Sequence, residues 1–275
     1  MLRPASRISK QLNLRFLSTT KSNFKNVDEN DLKHLGSFST QWWDPSGPFK
    51  PLHLMNQIRV PFICDGLISN GLVKPEKRND PDVLKGLNIL EVGCGAGILT
   101  EALAKLKANM TALEPSIELL EAGRDHLKGQ SLNIEYISEL IEEHSIDNAE
   151  KYDAVIASEV VEHVPGQKMF IQEMTKCLKP NGSIFITTPN RTFISWLLIK
   201  FISEYVIKII PKGTHDWKQF IKPSEVTEVL NEKDCDTVLV RGIFYNPFSG
   251  KFRFLKYDGI SYVLHAVKQD IKQQN

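Results

Sequence analysis

Residues 158–163, Ser-Glu-Val-Val-Glu-His, place Glu159, Glu162 and His163 within five positions. If a helical turn begins there, the three sit at i, i+3 and i+4 and share one face. Two carboxylates and an imidazole at the end of a strand could hold a divalent metal. Carboxylates favour a hard ion such as Mg²⁺, whereas imidazole suits Zn²⁺, Co²⁺ or Mn²⁺ better, and the spacing does not choose among them. In the alternative, the acids hydrogen-bond the amino group of a ligand and His163 caps a turn or acts as a base. His215, farther along the chain, is a second candidate base.

The other stretch able to do chemistry is Asn88 to Thr100, NILEVGCGAGILT. Its first five residues read as a buried parallel strand, and Ile98 to Lys107 follows with helical spacing. Between them Gly93, Gly95 and Gly97 crowd one bend, which implies positive φ or close backbone approach. A ligand can rest there against bare backbone beside unpaired helix N–H groups. The spacing is G-x-G-x-G, not the G-x-G-x-x-G of dinucleotide sites, since position 98 is Ile98. One strand later, Asn109 to Leu113 ends in Glu114, a carboxylate able to accept hydrogen bonds from both ribose hydroxyls. Glu91-Val-Gly-Cys-Gly-Ala-Gly97 together with Glu114 resembles the class I S-adenosylmethionine (SAM) methyltransferases. In that setting, a metal at 159–163 would chelate two adjacent phenol oxygens, lower a phenol pKa and fix one oxygen in line with the sulfonium methyl. Without metal, His163 or His215 would remove the proton.

These residues need a scaffold, and the chain alternates to supply one. Strands are expected at 88–92, 109–113, 133–137, 152–158 and 182–188, with helices at 98–107, 116–128 and 166–178. Such alternation predicts a parallel sheet covered by helices, with ligands beyond the carboxyl ends of the strands. Gly93–Gly97, Glu114, Ser138-Glu139 and Ser158–His163 should therefore meet in one crevice. A helix at 223–232 and strands at 237–245 and 259–267 would close the sheet. Upstream, a helix at 28–33, Trp42 and Trp43 before a Pro/Gly turn, and a helix over 52–67 interrupted by Pro61 form an N-terminal cap (28–82). The tryptophans suit either a flap over a pocket or core anchors. Arg59 stands on an otherwise apolar helix face.

Composition is that of an α/β domain, with 41% hydrophobic and 24% charged residues in 275. Net charge is only +1, which argues against nucleic acid as a partner. The charge is unevenly placed: residues 1–27 carry six basic side chains and no acid, leaving 28 basic against 33 acidic residues beyond. That Arg-, Ser- and Leu-rich start has the composition of a mitochondrial transit peptide (1–27). Four scattered cysteines with no C-x-x-C suggest neither zinc ribbon nor disulfide framework, and Cys94 needs no catalytic role. Residues 193–210, FISWLLIKFISEYVIKII, are apolar with Lys200, Glu204 and Lys208 on one stripe. They predict an amphipathic helix that lies in a membrane surface or covers the site. Residues 269–275 form a polar tail.

Four stretches together resemble the ubiquinone-biosynthesis O-methyltransferase family: FSTQWWDPSGPFKPLHLMNQIRVPFI (38–63), NILEVGCGAGILT (88–100), ASEVVEHV (157–164) and PKGTHDWKQFIKP (211–223). Tyr245–Pro247 and 257–265 add to the match. The resemblance implies a seven-stranded, mostly parallel Rossmann-like class I SAM-dependent fold with one antiparallel strand. It also implies methylation of catechol-type hydroxyls on a polyprenyl dihydroxybenzoate and on demethylubiquinol. By it, Arg59, Gly93, Glu114 and Ser158 match SAM positions, and Glu159, Glu162 and His163 match ligands of a divalent metal, usually Mg²⁺. Position 114 is Glu where many relatives have Asp. A peripheral place on the matrix side of the mitochondrial inner membrane, among other ubiquinone-biosynthesis proteins, is implied in the same way.

Overall fold

The computed structural model describes residues 26–197, 217–246 and 249–270. His215, residues 198–210 of the expected amphipathic helix, Pro247, residues 1–25 of the expected transit peptide and residues 271–275 of the tail lie outside them.

Eight strands form one sheet: β1 (Asn88–Val92), β2 (Asn109–Leu113), β3 (Ile134–Ile137), β4 (Tyr152–Ser158), β5 (Leu178–Pro189), β6 (Cys235–Asn246), β7 (Lys251–Leu255) and β8 (Ser261–Lys268). Their order is β3-β2-β1-β4-β5-β8-β6-β7. β1 to β5 run parallel, while β8 is antiparallel to β5 and β6, and β7 is antiparallel to β6. The expectation of seven strands with one antiparallel is thus corrected to eight with two. β7 escaped because KFRFL carries two cations in five residues and lies at the sheet edge, where one neighbour suffices.

The strands of the parallel half are short and apolar because helices cover both of their faces. One face packs α2 (Lys50–Ser69) and α3 (Ile98–Lys105) around Leu67, Ile89, Leu103, Ile156 and Phe185. The other packs α6 (Gln167–Cys177) and α7 (Pro223–Asn231) around Val155, Met174, Ile184, Leu230 and Tyr262. Each such side chain stabilises the fold by roughly 1.5–3 kcal/mol on burial. α4 (Ile117–Leu127) covers β2 and β3 through Leu120 and Tyr136. A short α5 (Ile141–Asp147), not expected from the sequence, links β3 to β4.

α2 runs unbroken through Pro61. The buried Arg59, Phe62 and Ile63 around it outweigh the one ladder bond that Pro removes. Its close approach depends on Gly66, where a Cβ would lie 2.6 Å from the Phe185 ring. Two residues before the expected cap boundary at 28, the chain already makes buried contacts. Asn26 is buried, with Nδ2 donating to Glu142 Oε1 at 2.5 Å and Oδ1 accepting from Gly166 N–H at 2.5 Å. Asp28 then caps α1 (Glu29–Gly36), accepting from Asn30 N–H at 2.8 Å. No helix among the described residues is long and apolar enough to cross a membrane. Residues 193–197 are helical and leave Phe193 and Leu197 exposed.

His265 on β8 is buried, stacked on Phe185 with centroids 4.5 Å apart and 3.1 Å from Ser183 Oγ through Nε2. Burial pushes its imidazole down to about 4 from 6.5. The unfolded chain thus takes up this proton at higher pH than the folded one. The resulting stability is whole above pH 6.5 and is lost as pH falls toward 4. Melting temperature measured across that window should drop less for His265→Gln than for the parent, a difference of up to about 3 kcal/mol at pH 4.

Candidate active site

The carboxyl ends of β1, β2 and β4 and the segment after β3 open into one cleft, roofed by α1 and the segment around Trp42. Gly93, Gly95, Glu114, Glu139, Ser158, Glu159 and His163 all line it, so most of the residues expected to converge do so. At its floor the bend after β1 takes φ values of +71° at Gly93, +55° at Gly95 and +86° at Gly97. Gly93 and Cys94 N–H both donate to Leu113 O, at 2.8 and 2.9 Å, which lashes the bend to the end of β2. A Cβ on Gly93 would lie 2.4 Å from Val160, and one on Gly95 2.6 Å from the Trp42 ring. Gly97 differs: it faces the Tyr136 hydroxyl behind the bend and does not line the cleft. Its left-handed backbone is what lets α3 start.

Glu114 has a different immediate role from the one expected. Oε2 accepts from Gly95 N–H and Oε1 from Ser116 N–H, both at 3.0 Å. Burial raises its pKa, while the two N–H groups oppose the rise. The carboxylate thus fixes the bend and still faces the cleft with spare lone pairs.

Arg59 is buried beneath the cleft. Nη1 donates to Ser158 Oγ at 2.7 Å, and Nη2 to Asn56 Oδ1 at 2.6 Å and Leu52 O at 2.9 Å. Burial lowers its pKa, and the charges of Glu159 and Glu91 counter that effect. Ser158 Oγ also meets Thr187 Oγ1 at 2.7 Å, coupling the ends of β4 and β5. Glu91 accepts from Thr100 Oγ1 at 2.5 Å, and its pKa is pushed up to about 7, chiefly by burial.

The 159–163 stretch is not a single helical turn. Glu159 takes φ +58° with its N–H bonded to Thr187 O at 2.8 Å, and only Val161–His163 form a 3₁₀ turn. The three side chains consequently part. Glu159 and His163 face the cleft, whereas Glu162 turns under the turn and accepts from Thr188 Oγ1 at 2.8 Å. No ready-made cluster of three metal-binding side chains is found among the described residues. Glu159 Oε1 is buried without a partner. Burial, then the charge of Glu159, pushes Glu162 up to about 7. Burial works against a proton on His163, but the Asp31 hydrogen bond and the charges of Glu162, Asp31 and Glu159 outweigh it and raise the pKa.

The roof supplies residues that the sequence pattern did not reveal. Asp31 Oδ2 lies 3.2 Å from His163 Nδ1, a contact across 132 positions. Asn26 ties the roof to the start of α6 as described above. No local signal announces either, since α1 reads simply as a polar helix. The two tryptophans divide the roles open to them. Trp42 is stacked on Phe49 at 4.1 Å and lines the cleft over Gly95, with Nε1 buried and unpartnered. Trp43 is an anchor, donating to Ala96 O at 3.1 Å and stacked on His126 at 3.5 Å.

A model of the methyltransferase domain family matches residues 90–186. The magnesium protoporphyrin IX methyltransferase of Synechocystis PCC 6803, solved with bound S-adenosylhomocysteine, shares the fold. Its TM-score is 0.59 at 16% identity, over 88% of this chain and 95% of that one. The architecture is that of a class I SAM-dependent methyltransferase. The mitochondrial ubiquinone biosynthesis O-methyltransferase of Rattus norvegicus is 40% identical over 251 residues, covering 90% of this chain and 71% of that protein. The ubiquinone biosynthesis O-methyltransferase of Salmonella newport is 35% identical over 88% of this chain and 94% of its own length. The chain belongs to the ubiquinone biosynthesis O-methyltransferase family.

Gly95→Val would demand a β-branched residue at positive φ and displace Trp42. Titration calorimetry with SAM should show binding lost, with far-UV circular dichroism unchanged. Parent-like affinity would place the cofactor elsewhere.

Proposed function

We propose that the chain transfers the methyl group of SAM to a catechol-type hydroxyl of a polyprenylated ubiquinone precursor, in mitochondria, at the matrix face of the inner membrane. The observation that carries this reading is the opening of the glycine bend and of the Glu159–His163 loop into a single cleft, in a chain of this family. Bound SAM supplies an electrophilic methyl on a sulfonium. Gly93, Gly95 and Ser158 give it close backbone and hydroxyl contact, Glu114 faces its ribose, and Trp42 excludes water above it. Arg59 holds Ser158 in place and balances the acids beneath.

The donor set fits a hard divalent cation such as Mg²⁺. Glu159 Oε1 is a buried oxygen lacking a partner, and the Glu162 carboxylate is pressed by the Glu159 charge. A cation relieves both. Glu159, Glu162 and His163 would hold it after side-chain adjustment, and it would supply Lewis-acid polarisation of the phenol oxygen. A second reading rests on the Asp31–His163 contact. An imidazole held at Nδ1 by a carboxylate presents Nε2 as a base, so His163 removes the phenol proton with no metal. His215 is the lower-ranked base. The polyprenyl tail and the exposed apolar side chains at 193–197 support peripheral membrane attachment. Companion proteins of the pathway are expected as partners, and nucleic acid is not.

Radiolabelled methyl transfer from SAM to a short-chain demethylubiquinol separates these readings. Transfer abolished by EDTA and restored by Mg²⁺ supports the metal, transfer indifferent to EDTA supports His163, and no transfer despite SAM binding refutes the acceptor. Glu162→Gln should lower the rate at least tenfold and leave SAM affinity within about twofold. Because Glu162 must shed a proton held near pH 7, metal affinity of the parent should rise as pH increases through 7. Flat affinity from pH 6 to 8 would exclude Glu162 as a ligand.

A further inference from the structure

The β6–β7 strand pair extends past the rest of the sheet. β8 leaves β6 at the pair Ile243–Ser261, level with the end of β5 at Pro189–Ser261. Pairing of β6 with β7 continues through Phe244–Arg253, Tyr245–Phe252 and Asn246–Lys251. This end of the sheet is the one bearing Ser158 and Thr187, so the pair projects on the side where the cleft opens.

Its two faces are unlike. Phe252 stacks near Tyr245 at 4.8 Å and Phe254 reaches Phe62 of α2 at 5.6 Å, which anchors the inner face. Lys251, Arg253 and Leu255 occupy the outer face, and Lys256 and Tyr257 follow directly. All five are exposed, Tyr257 by 56%. No carboxylate among the described residues forms an ion pair with Lys251, Arg253 or Lys256. Three unpaired cations in six residues are anomalous in a chain that carries more acid than base beyond residue 27.

The surface is also continuous with an apolar one. Asn190 Nδ2 donates to Asp258 O at 3.0 Å, and Thr192 Oγ1 donates to Gly259 O. The loop after β7 is therefore fastened to the residues that precede the exposed Phe193, Ile194 and Leu197. Trp217, 39% exposed, joins them by donating to Thr192 O at 3.0 Å. Cations on long stems beside aromatic and aliphatic side chains match the headgroup region of an anionic bilayer, where charge and apolar insertion act together.

We propose that the outer face of this strand pair is a docking surface for an anionic lipid bilayer. Lys251, Arg253 and Lys256 contact headgroup phosphates, and Leu255 and Tyr257 enter the interface. The proposal deepens the membrane attachment stated above, and rests on that reading only for the cleft being turned to the bilayer.

The full chain would be sedimented with phosphatidylcholine vesicles, with and without 20% phosphatidylglycerol. The parent should bind the anionic vesicles more tightly and lose that preference in 0.5 M salt. Lys251→Glu with Arg253→Glu and Lys256→Glu should weaken anionic binding by roughly a hundredfold, at about fivefold per cation. Methyl transfer to a short-chain soluble acceptor should be unchanged, so a failed docking surface and a failed enzymatic reading give different results. If the charge-reversed protein melts early, the same three positions changed to Gln should still lose the anionic preference. Equal binding of the parent to neutral and anionic vesicles, or parent-like binding by the Gln variant, overturns the proposal. So does capture of an acidic protein partner by these cations when vesicles are not bound.

Discussion

Buried acid surrounds the cleft, and one buried guanidinium balances it. Glu91, Glu114 and Glu162 are all removed from water, and Glu159 adds a buried oxygen. Arg59 faces this group from α2, and its charge counters the burial penalty on Glu91 and Glu159. The arrangement also joins secondary structure, because Arg59 ties α2 to β4 through Ser158 and Ser158 reaches β5 through Thr187. Isolated carboxylates in such a place would neutralise themselves or open the fold. Held around one cation, their ionised forms supply the charge that a sulfonium or a divalent metal favours.

The glycine bend is the second fixed point, and its rigidity comes from partners rather than from glycine. Three positive-φ residues in sequence would be loose in isolation. Here Leu113 O takes two of the bend's N–H groups and Glu114 takes a third. Trp42 then closes over Gly95 from a different part of the chain. The cofactor loop is thus held by the strand below it and the cap above it.

Much of this was legible in the sequence because it is local. The strand–bend–helix at 88–105, the acid one strand later and the acids after β4 each announce themselves by residue type and spacing. Periodicity is equally local, so β1 to β5 fall within a few residues of expectation. What was not legible depends on partners distant in the chain. Asp31 meets His163 across 132 positions, and α1 carries no mark of it. Gly97 shares its residue type with Gly93 and Gly95 but faces Tyr136, which only packing reveals. The spacing of Glu159, Glu162 and His163 would suit one helical turn, yet the Glu159 N–H is claimed by Thr187 O, and that bond holds it out of the turn. The strand β7 has the charge pattern of a surface loop and is a strand because β6 offers it an edge.

The Asn26 side chain closes a loop of 140 residues, with Gly166 N–H at one end and the cap at the other. Bringing together two points so far apart carries a large entropic cost until the intervening chain is already compact. The partners also have to exist first, since Gly166 and Glu142 lie beyond the loops that follow β4 and β3. The Asn26 anchor of the cap therefore has no partners until both of those segments are in place. Residues that leave the ribosome early cannot make these contacts until Glu142 and Gly166 have been synthesised, so the roof of the cleft depends on contacts supplied later in the chain. A chain without those contacts would lack the anchor at Asn26 that holds the roof over the glycine bend.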